Sequence, residues 1–227
     1  MRRVDKLMVE SYGITMMQMM ENAGGSLARL ARQRFLKGRG SDQQVVVLAG
    51  RGGNGGGGLV CARRLHVWGV NVRVITTHPW QDYRGVPRHQ LTILERMEVP
   101  VVFSPGSHIE RSPDLLIDAI IGYGLSGSPH GQAAEMIRWA NAQESPILSL
   151  DAPSGLDTTS GVAYSPTIQA TATMTLALPK EGFRAPGAAA YVGELYLADI
   201  SVPPDLYAQL GISVPSIFSQ KDIFRVA

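Results

Sequence analysis

Val45-Val46-Val47-Leu48-Ala49-Gly50-Arg51-Gly52-Gly53-Asn54-Gly55-Gly56-Gly57-Gly58 is the stretch that decides the fold. Its first four residues are apolar without alternation, which marks a strand covered on both faces, as in a parallel sheet flanked by helices. Seven glycines then leave a segment almost bare of side chains, and a helical run over 58–67 follows. Strand, bare loop and helix in that order open a βαβ unit. Such a loop lets a phosphate or diphosphate approach backbone amides and the positive end of the helix.

Outward from this stretch the texture repeats. Apolar, β-branched runs at 44–48, 70–75, 99–103, 115–121, 146–150, 172–178 and 193–200 read as strands. The segments 58–67, 84–97 and 132–142 read as helices between the earlier ones. The last third drops the helices and reads strand after strand, with Pro179, Pro186, Pro203 and Pro204 in the connections. Ahead of the sheet, 2–12 and 15–36 read as amphipathic helices parted by Gly13. Thr15 is placed to cap the second. Met16, Met19, Met20, Ala23, Leu27, Leu30 and Ala31 recur there at three- and four-residue steps and read as a packing face. Arg29, Arg32, Arg34, Lys37 and Arg39 surround the helix end, where cations suit the negative pole, and read as a solvated face. The expectation is one α/β domain over 1–227: a doubly wound, Rossmann-like, mostly parallel sheet flanked by helices, with an N-terminal helical extension.

Composition narrows the function. Of 227 residues 44% are apolar, so a core is available and disorder is excluded; 25 glycines without a three-residue period exclude collagen. A net charge of +2 calls for neither nucleic acid nor a membrane surface as partner. The single Cys61 makes no internal disulfide, which suits a reducing compartment. No run approaches the roughly 18 apolar residues of a spanning helix. The basic start is broken by Asp5, Lys6, Glu10 and Gly13, unlike a secretory signal. A soluble cytoplasmic protein is expected.

Three loops follow strands in a way that suits chemistry, because ligands of such sheets sit at strand carboxyl ends, beside the point where strand order reverses. The glycine run is one. The second is Asp118-Ala119-Ile120-Ile121-Gly122-Tyr123-Gly124-Leu125-Ser126-Gly127, a carboxylate followed by a Gly-x-Gly turn. The third is Asp151-Ala152-Pro153-Ser154-Gly155-Leu156-Asp157, an acid at a strand end with Pro and Gly fixing a tight turn. Asp118, Asp151, the Ser154 hydroxyl and the Asn54 amide offer hard oxygen donors suited to an alkali cation. Gly50, Gly52 and Gly55 satisfy the dinucleotide fingerprint, yet the ribose-gripping acid that should end the next strand is replaced by Thr76-Thr77-His78. The run also lacks the Gly-Lys-Ser/Thr ending of a nucleoside-triphosphatase loop. His66, His78, His89, His108 and His130 show no ligand spacing. Asp-Ala-Pro-Ser-Gly is not a hydrolase nucleophile elbow. Lys180 follows a strand within reach of an anionic ligand and otherwise reads as a surface lysine.

Taken in order, Val4-Asp5, Met20-Glu21-Asn22-Ala23-Gly24, the glycine run, Asp118 to Gly124, Leu150 to Asp157, Leu178-Pro179-Lys180 and Gly193-Glu194-Leu195 resemble the NAD(P)H-hydrate epimerase family, the YjeF N-terminal domain. The resemblance implies an isomerase that interconverts the R and S forms of hydrated NADH or NADPH. It implies a homodimer, one potassium ion per subunit and a separate NAD(P)H-hydrate dehydratase that repairs the S form; this chain is too short to include one. By position, Asn54, Asp118 and Ser154 would hold potassium. Gly53, Asn54, Gly55, Gly56 and Gly57, then Gly122, Tyr123, Gly124, Leu125, Ser126, Gly127 and Ser128, and Asp151 would line the substrate crevice. Asp151 and Asp118 are the candidate catalytic groups, Asp151 toward the ligand and Asp118 toward the cation.

One departure stands out. The family's usual loop reads Asn-Asn-Gly-Gly-Asp-Gly, whereas this chain has Gly53-Asn54-Gly55-Gly56-Gly57-Gly58. A carboxylate is missing at Gly57. That leaves open a second reading, a catalytically weak relative that binds a nucleotide or a protein, and Asp157 and Asp199 as acids that would replace the missing one.

Overall fold

Strand order reverses at the glycine run. The computed structural model describes residues 1–36, 42–104 and 112–226. Within them β1 (Gln44–Ala49), β2 (Asn71–Thr76), β3 (Val101–Phe103), β4 (Leu115–Ala119), β5 (Ile147–Leu150), β6 (Ala172–Leu176), β7 (Glu194–Ala198) and β8 (Ile223–Arg225) form one sheet in the order β3-β2-β1-β4-β5-β6-β7-β8. All pairs are parallel except β7 with β8. The chain leaves β1 for β2 and β3 on one side, then returns to β4 on the other. Ala49 and Ala119 end those two strands in register, and a crevice at their carboxyl ends follows from the topology.

The unalternating strands are explained by cover on both faces. Val45, Val47 and Ala49 pack with Leu27 and Leu30 of α2 (Met16–Arg34), Leu59 and Leu65 of α3 (Gly53–Val67), and Leu91 and Leu94 of α4 (Gly85–Arg96). Val46 and Leu48 face the opposite way, onto Met136 and Ile137 of α5 (Gly131–Asn141). Each such fully buried aliphatic side chain contributes about 1.5–3 kcal/mol. Thr15 caps α2 in a reciprocal box with Gln18. α1 (Arg2–Tyr12) ends at Gly13, whose φ of 66° suits glycine, and packs through Val4 and Met8 on α7 (Pro204–Gln209).

The structure departs from the sequence reading in three places. α3 starts at Gly53 rather than near 58, so most of the glycine run is helix and not loop. The last third contains the short helices α6 (Ala189–Val192) and α7 and the antiparallel β8, each too short to show a period. The arginines behind α2 are also partnered rather than merely solvated: Arg34 grips Glu194 through two hydrogen bonds, Arg29 lies 3.5 Å from Asp222, and Arg32 stacks 4.4 Å over Trp68. Lys37, Arg39 and His108 lie outside the described residues. No helix among the described residues is long and apolar enough to cross a membrane.

The Arg34–Glu194 pair ties α2 to β7. The guanidinium, and after it the Tyr196 hydroxyl, pull the Glu194 carboxyl from its ordinary value down to about 2. A depressed folded-state value means stability present above the unfolded value near 4.5 and lost as pH falls through about 2. Arg34 is largely exposed, which screens the pair. Glu194→Gln is therefore expected to cost about 1 kcal/mol at pH 7. In thermal unfolding the gap from wild type should close between pH 4.5 and 2; a gap that persists at the acid end would contradict the pairing.

Candidate active site

Asp151 sits at the apex of a strained turn. Just past the end of β5, Ala152 N–H bonds Leu150 O at 2.8 Å, and Asp151 between them adopts φ 66°. A non-glycine residue in this region costs about 1–3 kcal/mol and persists only where its surroundings impose it. Here its own N–H donates to Met174 O of β6 at 2.8 Å. The side chain is buried. Oδ2 accepts from Tyr123 N at 3.2 Å. Oδ1 is ion-paired with the Lys180 ammonium, 2.8 Å away. Lys180 is thus not the surface lysine of the sequence reading: 7% exposed, it donates to Leu176 O and Leu178 O at 3.0 and 3.2 Å.

Asp118 occupies a different environment. It is fully buried on β4, where Oδ1 accepts from Ser154 Oγ (2.5 Å) and Ile120 N (3.2 Å), and Oδ2 from Ser149 Oγ (2.8 Å) and Ser154 N (2.9 Å). All of these partners are neutral. Burial pushes its pKa up, against the pull of the Ser154 and Ser149 hydrogen bonds. The Ser154 proton has a second acceptor, Ile121 O at 3.1 Å, while its oxygen accepts from Ile121 N at 2.8 Å. Asn54, on the first turn of α3, brings its amide against Gly122, and its Nδ2 is buried without a partner.

A cavity of about 470 Å³ opens where these elements meet. Gly53, Asn54 and Gly57 form one wall, Gly122, Tyr123 and Gly124 another, and Asp151 closes the strand end. Gly55 and Gly56 are turned away into packing. Leu125, Ser126, Gly127 and Ser128 lie beyond the lining, and Asp118 and Ser154 stand behind Ile121 rather than in the wall. Asp157 and Asp199 are not in the wall either. Asp157 caps its own turn through Thr159 and Ser160, and Asp199 accepts from Ser201 N. At Gly57 an added Cβ would meet the tip of Leu150 at 2.7 Å, so that side chain occupies the space where a longer residue would start.

The N-terminal helices complete the site, which the sequence reading did not foresee. Asp5 of α1 lines the cavity and accepts the Tyr123 hydroxyl, and burial followed by this bond raises the Tyr123 pKa. Met19 and Met20 are buried as a packing face should be, yet with Met16 they also form cavity wall. Their periodicity showed the face; only the fold shows that part of it is turned toward an opening. The amphipathic pattern shows α1 itself, and Val4-Asp5 among the matched segments is the signal that ties it to the site.

The family described as YjeF-related protein N-terminus matches residues 16–182. The chain belongs to the YjeF N-terminal family. Among curated proteins of this family, the NAD(P)H-hydrate epimerase of Dehalogenimonas lykanthroporepellens is 41% identical over 93% of this chain and 84% of its own length. The corresponding figures for the NAD(P)H-hydrate epimerase of Truepera radiovictrix are 38%, 93% and 91%. The bifunctional NAD(P)H-hydrate repair enzyme Nnr of Moorella thermoacetica is 35% identical over 92% of this chain, which spans 40% of that protein. The crystal structure of yeast ynu0, YNL200c, superposes with a TM-score of 0.82 at 25% identity, covering 99% of this chain and 96% of the yeast chain. In the segment Met20 to Gly24, Met20 and Ala23 line the cavity while the other three residues hold α2 in place. Glu21 receives Arg63 at 2.6 Å, Asn22 bonds Ser201 Oγ at 3.1 Å, and Gly24 lets α2 touch α3, since a Cβ there would stand 2.4 Å from Gly57 O.

Proposed function

We propose that this chain is an NAD(P)H-hydrate epimerase, an isomerase that interconverts the R and S forms of hydrated NADH and NADPH. One observation carries the reading beside family membership. The uncapped start of α3, the Gly122–Gly124 turn and the buried Asp151 meet on one cavity at the sheet's reversal point. The helix start suits a diphosphate, and the apolar methionine wall suits a nicotinamide ring.

In the hydrate a hydroxyl sits on the carbon beside the ring nitrogen. The nitrogen lone pair expels it as water once a proton arrives, which leaves an iminium. Water then adds from either face and gives up one proton. One carboxyl group that gives a proton in the first half and takes one in the second balances the reaction. Asp151 is that group, set in the cavity wall at the end of β5. As a carboxylate it also stabilises the cationic ring.

The donor chemistry beside the cavity suits potassium: the buried Asp118 carboxylate with only neutral partners, the Ser154 hydroxyl, and the Asn54 amide oxygen against Gly122. Asn54, Asp118 and Ser154 would hold the ion, with the Ser154 proton turned to Ile121 O. A bound potassium ion would offset the buried negative charge and stiffen the strand ends beside the cavity. We place the protein in the cytoplasm as a homodimer, with residues 1–227 as a single domain, working with a separate dehydratase.

The test is a mixture of R and S hydrates with excess S-specific dehydratase and potassium. Added protein should drain the R form at the pace of enzyme; loss at the spontaneous rate would favour the alternative raised by Gly57, a member that binds without turnover.

A further inference from the structure

Two strained turns stand side by side at the ends of β5 and β6. The first carries Asp151. The second has the same form: Leu178 N–H bonds Leu176 O at 2.7 Å, with Ala177 between them at φ 64° and its N–H donating to Ala198 O at 3.0 Å. This bend returns the chain on itself, so that Lys180 Nζ reaches the carbonyls of Leu176 and Leu178 and comes to rest 2.8 Å from Asp151 Oδ1. Lys180 and Asp151 are 5% and 4% exposed at their side chains, and Lys180 is not in the cavity wall. A residue needed only to fill that space would be apolar, since an ammonium must be stripped of water to sit there. Strained backbone on both sides of a buried ion pair points to a placement that function requires.

We propose that Lys180 is a positioning residue for the epimerase reaction, acting through Asp151. Two carbonyls fix the ammonium, the ammonium fixes Oδ1, and Tyr123 N fixes Oδ2, so the carboxyl plane is held by one contact at each oxygen. Lys180 never meets the ligand. The inference rests on the epimerase reading, and its prediction is specific: the lysine matters for turnover only while Asp151 is present.

The experiment is a double-substitution cycle in the coupled hydrate assay. Lys180→Met is expected to lower kcat at least about tenfold with KM within about twofold, because a misaimed group costs turnover more than binding. Added to Asp151→Asn, it should cost less than about twofold more. Lys180→Arg, which keeps the charge, should recover part of the loss. Wild-type kcat in Lys180→Met, or a further tenfold loss on top of Asp151→Asn, would overturn the proposal while leaving the epimerase standing. A wild-type protein without activity would overturn both. If Lys180→Met does not fold, Asp151→Asn/Lys180→Met still decides. It lacks any buried charge at this site, and its rate against Asp151→Asn alone gives the same answer.

Discussion

Asp151→Asn is expected to slow interconversion of the R and S hydrates about a hundredfold. The amide has the carboxylate's shape, and its oxygen still accepts from Tyr123 N, so the turn and the cavity wall survive. What is lost is the negative charge beside the developing cation and the group that gives and takes the proton. A hundredfold corresponds to about 2.7 kcal/mol of transition-state stabilisation. The substitution also leaves the Lys180 ammonium buried without its counter-charge, a loss of about 3–5 kcal/mol where one partner of a buried pair is removed. Rates are therefore to be compared well below both unfolding midpoints. An unchanged rate under those conditions would remove Asp151 from the chemistry.

Gly55→Ala is expected to abolish folding, or to cost more than about 3 kcal/mol. A Cβ there would stand 1.7 Å from Gly50 O. That oxygen is backbone in the tight bend between β1 and α3, and no rotamer change moves it. Gly57→Ala is the contrasting case: its Cβ would crowd the Leu150 tip at 2.7 Å, which can swing, and touch Ala23 Cβ at an ordinary 4.0 Å, so a cost of about 1–2 kcal/mol is expected. Thermal unfolding of the two variants separates the cases. A Gly55→Ala protein that melts with wild type would mean that α3 does not start against Gly50.

These two positions show what the sequence made legible. Val45 to Leu48 lacked alternation because helices cover both faces of β1, and that pattern carried the parallel sheet. Asp151 was legible as an acid at a strand end. Its strained backbone was not, because no residue type announces φ 66° in an aspartate. As sequence, the glycine run reads as a bare loop open to a phosphate, whereas several of its residues let neighbours come close: Gly50 O beside Gly55, Met20 beside Gly56, Ala119 beside Gly58. Packing demands and ligand access select the same residue, and only three-dimensional neighbours separate them. Lys180 and Asp5 were missed for a related reason. A lone charge in a sequence defaults to solvent, and each finds its partner, Asp151 or Tyr123, only across long stretches of chain.

A crystal of Asp151→Asn soaked with the NADPH hydrate tests the central claim most directly. The hydroxyl on the ring carbon should lie within hydrogen-bond reach of residue 151, with the diphosphate against the amides that open α3. A ligand seated elsewhere, or one whose ring points away from residue 151, would contradict it.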